Sequence, residues 1–166
     1  MVELTGYHGT IKENAKKIIK ENHYKLSTKN DEWLGDGIYF FKDIFWANYW
    51  ARMVSKNWHG QHAVLKSLIS CKNEEYFDLD SVDNKKKIEN SLKDFANTES
   101  SVGAPNFENK EEMRSFYCNF YAELNNILVY SCNFPRAGFD DLGFPKTQVQ
   151  YCVRDNSAIK SIEILE

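Results

Sequence analysis

Three short segments of this chain carry the side chains best suited to chemistry. The first is Gly6-Tyr7-His8-Gly9-Thr10. A histidine at a strand end can donate or accept a hydrogen bond inside a cleft, and a glycine beside it lets a ligand approach the backbone closely. The competing reading of His8 is a core histidine bonded to a backbone carbonyl. The second segment is Leu34-Gly35-Asp36-Gly37-Ile38-Tyr39-Phe40-Phe41. Two glycines ahead of Tyr39 suggest a tight turn that offers its ring to a flat partner; taken alone, a tyrosine in this position is more often a core or sheet aromatic. The run lacks both Gly-x-Gly-x-x-Gly and a Lys-Ser/Thr ending, so it is not a phosphate-cradling loop. The third segment is Gln148-Val149-Gln150-Tyr151-Cys152-Val153. Strand alternation puts Val149, Tyr151 and Val153 on one face and Gln148, Gln150 and Cys152 on the other. The apolar set is expected to face the core, leaving the two carboxamides either to solvent or to a cleft.

The elements that must hold these segments follow from hydrophobic period and punctuation. Val2 to His8 reads as a strand, ending at Gly9. Thr10-Ile11-Lys12-Glu13 fits a capping box, and Ile11, Ala15, Ile18 and Ile19 share one face of the helix that would follow. Asn22 to Asp36 is polar and turn-rich, hence a loop leading to a strand at Ile38–Phe41. Asp43 is expected to cap a helix whose buried stripe is Ala47, Trp50, Ala51 and Val54. Strands are expected at Ala63 to Cys71 and Tyr76 to Leu79. Two helices follow, one marked by Ile88, Leu92 and Phe95 and one by Met113, Phe116, Tyr117, Phe120, Tyr121 and Leu124. Asn126 to Cys132 returns to strand character. Asn133 to Lys146, with Pro135, Gly138, Gly143 and Pro145, reads as a loop. Thr147 to Arg154 and Ile159 to Leu165 close the sequence as strands. Strands at both ends enclosing helices indicate an α+β domain with mostly antiparallel sheet. No linker, repeat or low-complexity tract divides residues 1–166, which are expected to form one domain.

Composition narrows the function classes. Apolar residues make up 42% and aromatics 14% of 166 residues, enough for a core or cleft built from large rings. A net charge of −3 argues against strong general affinity for nucleic acid, which rests on many phosphate-neutralising cations. Lys12, Lys16, Lys17 and Lys20 still form a local basic face, read first as a solvated helix face. Met1-Val2-Glu3-Leu4-Thr5 does not read as a secretory leader, and no apolar run approaches a membrane span. Cys71, Cys118, Cys132 and Cys152 show no pairing pattern and read as reduced thiols, so a cytoplasmic setting without membrane contact is expected. His59 and His62 lack acidic or cysteine partners at ligand spacing, so no metal site is expected. No Gly-x-Ser-x-Gly or Cys-His-Asn order supports a nucleophilic hydrolase.

Taken in order, Tyr7-His8-Gly9-Thr10, Gly35-Asp36-Gly37-Ile38-Tyr39-Phe40 and Gln150-Tyr151-Cys152-Val153 resemble the signature of the ADP-ribosyltransferases, in the branch shared by diphtheria toxin and the poly(ADP-ribose) polymerases. The likeness covers both ends of the chain; the stretch between Lys56 and Tyr130 matches only as a pattern of helices and strands. It implies an ADP-ribosyltransferase-like fold in which two small, mainly antiparallel sheets form an NAD-binding cleft flanked by helices. It implies NAD as co-substrate, with His8, Gly9, Thr10, Tyr39 and Phe40 binding it and His8, Tyr39 and Gln150 as the catalytic set. His8 would bond an adenosine ribose hydroxyl, the Gly9 backbone would pair with the nicotinamide amide, and Tyr39 would stack on the nicotinamide. Gln150 stands where that family most often has glutamate. Glutamine accepts a hydrogen bond but supplies no charge and no base, so mono-ADP-ribosylation is expected rather than polymer formation. Gln148 remains an alternative to Gln150, because strand register decides between them. Asp140 and Asp141 are candidates for a base on position alone. The expected acceptor is a macromolecule, protein or RNA/DNA. The likeness extends to intracellular toxins of toxin–antitoxin or phage-defence modules, which implies a neutralising antitoxin protein. The alternative is a catalytically silent NAD or ADP-ribose reader of the same fold.

Overall fold

In the computed structural model, residues 1–98 and 105–165 are described. Among them, a single mixed sheet of seven strands runs in the order β4-β5-β6-β2-β1-β3-β7. The strands are β1 (Val2–Ile11), β2 (Ile38–Phe41), β3 (His62–Cys71), β4 (Tyr76–Asp78), β5 (Val129–Phe139), β6 (Pro145–Val153) and β7 (Ile159–Leu165). Four α-helices accompany them: α1 (Lys12–Glu21), α2 (Ile44–Trp58), α3 (Val82–Thr98) and α4 (Lys110–Asn125). All neighbours pair antiparallel except β4 and β5. The expected α+β class is therefore observed, while the expected division into two small sheets is replaced by one sheet. The join is narrow. β1 pairs with β3 along its whole length, from Val2↔Cys71 to Ile11↔His62, but meets β2 at one register position, Tyr7↔Phe41.

The sheet is covered on both faces, and alternation along each strand says by what. Leu65, Ile69, Phe40, Ile38 and Tyr151 pack with Ala15 of α1 and with Tyr24. On the opposite face, α2 lays Ala47 and Ala51 against Val64, with Tyr7 and Phe41 beside them. Further along that face, Cys152 and Tyr130 pack with Ile88 of α3 and with Cys118 and Tyr121 of α4. Phe41 lies under α2, while Tyr39, two residues earlier, packs against the cluster of α3 and α4. A gap between those helices thus lies over the seam of the sheet.

Local chemistry explains where several elements start and stop, and corrects four expectations. β1 continues to Ile11 instead of ending at His8, so the N-cap of α1 is Ile11 and no side chain caps it. Thr10, expected as the cap, is buried in the strand, because ladder pairing to Ala63 uses its backbone. Asp43 is the N-cap of α2 by backbone position, without a side-chain cap bond. Trp50, expected in the buried stripe of α2, is 52% exposed. The stretch Asn133 to Lys146 is not a loop: β5 and β6 extend into a hairpin, paired as Phe134↔Gln148 and Phe139↔Pro145 across an irregularity. Pro135 is tolerated there because the distal part of β5 has lost its β4 neighbour, whose pairing stops at Ser131. The lysine-bearing face of α1 is exposed, as expected of a solvated face.

Candidate functional site

A cavity of about 440 Å³ opens over the seam between β1 and β2. That volume falls within the range of small-molecule sites, roughly 300–1,000 Å³. His8, Gly9, Tyr39 and Gln150 all line it, as does Gln148. Thr10 and Phe40, expected to bind ligand, do not: each is turned into the packed interior.

The seam shows how His8 comes to serve the cavity. Had the β1–β2 ladder continued beyond Tyr7↔Phe41, Gly9 would stand opposite Tyr39. Instead the His8 ring enters the opening, and its Nδ1–H donates to the Tyr39 carbonyl at 2.9 Å. The ring rests edge-on against Tyr24 and Phe40, with centroids 5.3 and 5.9 Å away. Both readings of this histidine are thus realised at once. One nitrogen holds a backbone carbonyl, which fixes the tautomer, and Nε2 has no hydrogen bond among the described residues. Burial lowers the His8 pKa below its ordinary value; the Tyr39 carbonyl bond opposes that shift only in part. At neutral pH the ring is uncharged, and Nε2 is a hydrogen-bond acceptor.

Tyr39 is anchored at its far end. Its hydroxyl donates to the Gly35 carbonyl at 2.6 Å and accepts from the Leu34 N–H at 2.9 Å. Burial raises its pKa far above the ordinary value, with nearby Cys152 adding to the shift. The group is therefore a neutral tether, and its ring is what the cavity receives. The glycines ahead of it have packing reasons. Gly35 adopts φ +82°, and a Cβ there would lie 2.4 Å from Asn119 Oδ1. Asn119 in turn accepts from the Asp36 N–H and from Arg154, so the turn is pinned to α4. Gly9 answers to the helix rather than only to a ligand: a Cβ would stand 2.1 Å from the Ala47 carbonyl oxygen of α2.

Gln150 sits opposite Phe41, and Gln148 follows on the same face of β6. The two are 7% and 4% exposed. They therefore line the cleft instead of facing bulk solvent. Among the described residues neither carboxamide makes a protein hydrogen bond, which leaves both able to meet a ligand. Strand register does not choose between them, since both reach the cavity.

Several wall residues were not singled out by sequence as ligand-facing. Lys25, Lys29 and Glu32 come from the segment between α1 and β2, and Arg136 from the distal part of β5. Glu32 is bonded to Ser27 and, among the described residues, is the one carboxylate on the wall. Trp33, Trp46 and Trp50 also line the cavity. The available signal was length: a structureless run from Asn22 to Asp36 is long for a mere connection and marks a working loop. Asp140 and Asp141 are absent from the wall. They lie exposed at the hairpin tip, where Asp140 Oδ1 accepts from the Leu142 and Phe144 N–H groups. Among the described residues no cluster of His, Cys, Asp and Glu is arranged to hold a metal ion. His59 and His62 are exposed at the end of α2 and the start of β3. The four cysteines are free thiols. No helix among the described residues is long and apolar enough to cross a membrane.

No model of a known protein family matches the chain, and no solved structure matches it. The chain is similar to an uncharacterized protein of Methanocaldococcus jannaschii, with 34% identity over 87 residues. The matched region is 51% of this chain and 41% of that protein. This chain therefore matches less than half the length of that relative.

Proposed function

We propose that this protein is an NAD-dependent mono-ADP-ribosyltransferase acting on a macromolecular acceptor. The observation that carries the reading is the meeting of His8, Tyr39 and Gln150, from three strands far apart in sequence, on the wall of one cavity. Two further features support it. The wall carries the rings of Trp33, Tyr39, Phe41 and Trp46, suited to the two flat bases of NAD. It also carries Lys25, Lys29 and Arg136 against Glu32 alone, a positive balance suited to a pyrophosphate.

In this reading Tyr39 offers its ring face to the nicotinamide cation, an attraction of about 0.5–2 kcal/mol. His8 Nε2 accepts from a ribose hydroxyl. The Gln150 carboxamide oxygen accepts from the 2′-hydroxyl of the nicotinamide ribose and orients C1′. In the transfer itself, a nucleophilic atom of the acceptor forms a bond to C1′. The N-glycosidic bond breaks, and its electron pair leaves with nicotinamide. The acceptor's proton is taken up by Glu32, the carboxylate we assign to this role. Gln150 contributes a dipole and no charge, so the developing positive charge on the ribose is met less strongly than by a carboxylate. A slow enzyme that adds one unit fits that chemistry. The wider setting we propose is an intracellular toxin, held in check by a neutralising protein.

The test is transfer of radiolabel from NAD into a cell lysate, with protease and nuclease digests separating the products. Label in the wild type should vanish with Tyr39→Ala and Gln150→Ala. Glu32→Gln should slow turnover by about 10²–10⁴-fold while NAD still binds, the usual weight of a general base. Bound NAD with no transfer would establish a silent reader, and absence of NAD binding would end the proposal.

A further inference from the structure

The mouth of the cavity carries aromatic faces that the core leaves unused. Trp46, Tyr49 and Trp50 of α2 all line it, yet Tyr49 is 45% and Trp50 52% exposed. Trp46 is held in place: its indole N–H donates to the Thr147 carbonyl at 3.0 Å, and the Arg136 guanidinium lies over its ring, 5.4 Å from the centroid. The charge around these rings runs against that of the whole molecule. α2 contains Arg52 and Lys56 and no carboxylate, in a chain of net charge −3.

We infer that this rim binds the acceptor and that the acceptor is single-stranded nucleic acid, its bases stacking on Trp50 and Tyr49 and its phosphates meeting Arg52 and Lys56 of the same helix. Flat rings interleaved with cations are what a sequence-tolerant stacking surface requires, since every base has a face and every linkage a charge. The same census excludes a duplex. Tight duplex binding rests on neutralising many phosphates, and the few cations here are too few on an acidic chain. Stacking must carry the affinity, and only an unpaired base exposes its face. An unpaired base at the mouth also brings a proton-bearing nitrogen, an exocyclic amine or a ring N–H, within reach of the cavity. That nitrogen would bond to C1′, nicotinamide would leave with the electron pair, and the nitrogen's proton would pass to Glu32. The choice of acceptor rests on the transferase reading, whereas the binding surface does not.

The experiment is fluorescence anisotropy of labelled single-stranded RNA and DNA of about 12 nucleotides, without NAD, beside a duplex of the same sequence. NAD binding is followed separately by quenching of tryptophan fluorescence. Wild type should bind a single strand at least about tenfold more tightly than the duplex, and more weakly as salt rises. Trp50→Ala, at an exposed position, should weaken single-strand binding about tenfold or more and leave NAD affinity within about twofold. Lys56→Glu should weaken it further and flatten the salt dependence. Equal binding of duplex and single strand, or binding indifferent to Trp50→Ala, would overturn the inference. So would NAD-dependent label entering only protease-sensitive material. Single-strand binding with no NAD binding would instead uphold the surface and refute the transferase.

Discussion

Gly9 offers the sharpest test, because two physical reasons for a glycine there predict different results. The sequence suggests backbone approach by a ligand, whereas the structure shows the packing of α2. In Gly9→Ala the new Cβ would stand 2.1 Å from the Ala47 carbonyl oxygen and 2.9 Å from the Ala51 nitrogen. Both atoms are backbone and cannot swing aside like a side-chain tip. Reaching ordinary contact, near 3.4 Å, requires α2 to retreat by about 1 Å, which opens the seam against Val64. Overpacking of this kind costs about 1–3 kcal/mol, and rigid backbone places it at the upper end. For a chain of this size, each kcal/mol lowers Tm by about 2–4 °C, so a fall of about 6–12 °C is expected. The assay is thermal unfolding followed by circular dichroism, beside NAD titration of the same samples. Affinity should fall as well, because Trp46 and Met53 of the cavity wall move with the helix. An unchanged Tm with lost NAD binding would refute the packing argument and leave the ligand as the reason for Gly9.

Tyr39→Phe keeps the ring and removes the tether, leaving the Leu34 N–H and the Gly35 carbonyl unpaired at a half-buried site. Chemical denaturation should show a loss of about 1–3 kcal/mol. NAD affinity should fall less than in Tyr39→Ala; equal losses would mean that the ring itself contributes nothing. His8 predicts a pH dependence whose sign follows from its lowered pKa. In the folded protein the ring resists protonation, while in the unfolded chain it titrates near its ordinary value of about 6.5. Below that value the unfolded state binds the extra proton, so stability falls as pH drops towards the folded pKa and levels off beyond it. NAD affinity should decline on the acid side of the folded pKa, as Nε2 ceases to be an acceptor. Urea unfolding from pH 7 to 5 should show less of this slope in His8→Gln, and identical slopes would remove His8 as its source.

The sequence alone determined the local elements. Period and punctuation located most helices and strands, because a buried face must repeat at 3.6 or 2 residues whatever lies above it. It also singled out, by residue type, the segments that carry His8, Tyr39 and Gln150, with Gln148 left open beside Gln150. It did not reveal that β1 runs on through Thr10, that Asn133 to Lys146 is a paired hairpin, or that Phe40 is core. Each depends on a partner strand or helix distant in sequence: β3 for Thr10, β6 for the hairpin, and α1 with Tyr24 for Phe40. The tertiary structure alone decided the composition of the cavity wall. Lys25, Glu32 and Arg136 become neighbours only because the α1–β2 segment and the β5–β6 hairpin close over the same seam. The sequence places Gly9 next to His8; only the fold places it against Ala47, where nothing larger than hydrogen fits.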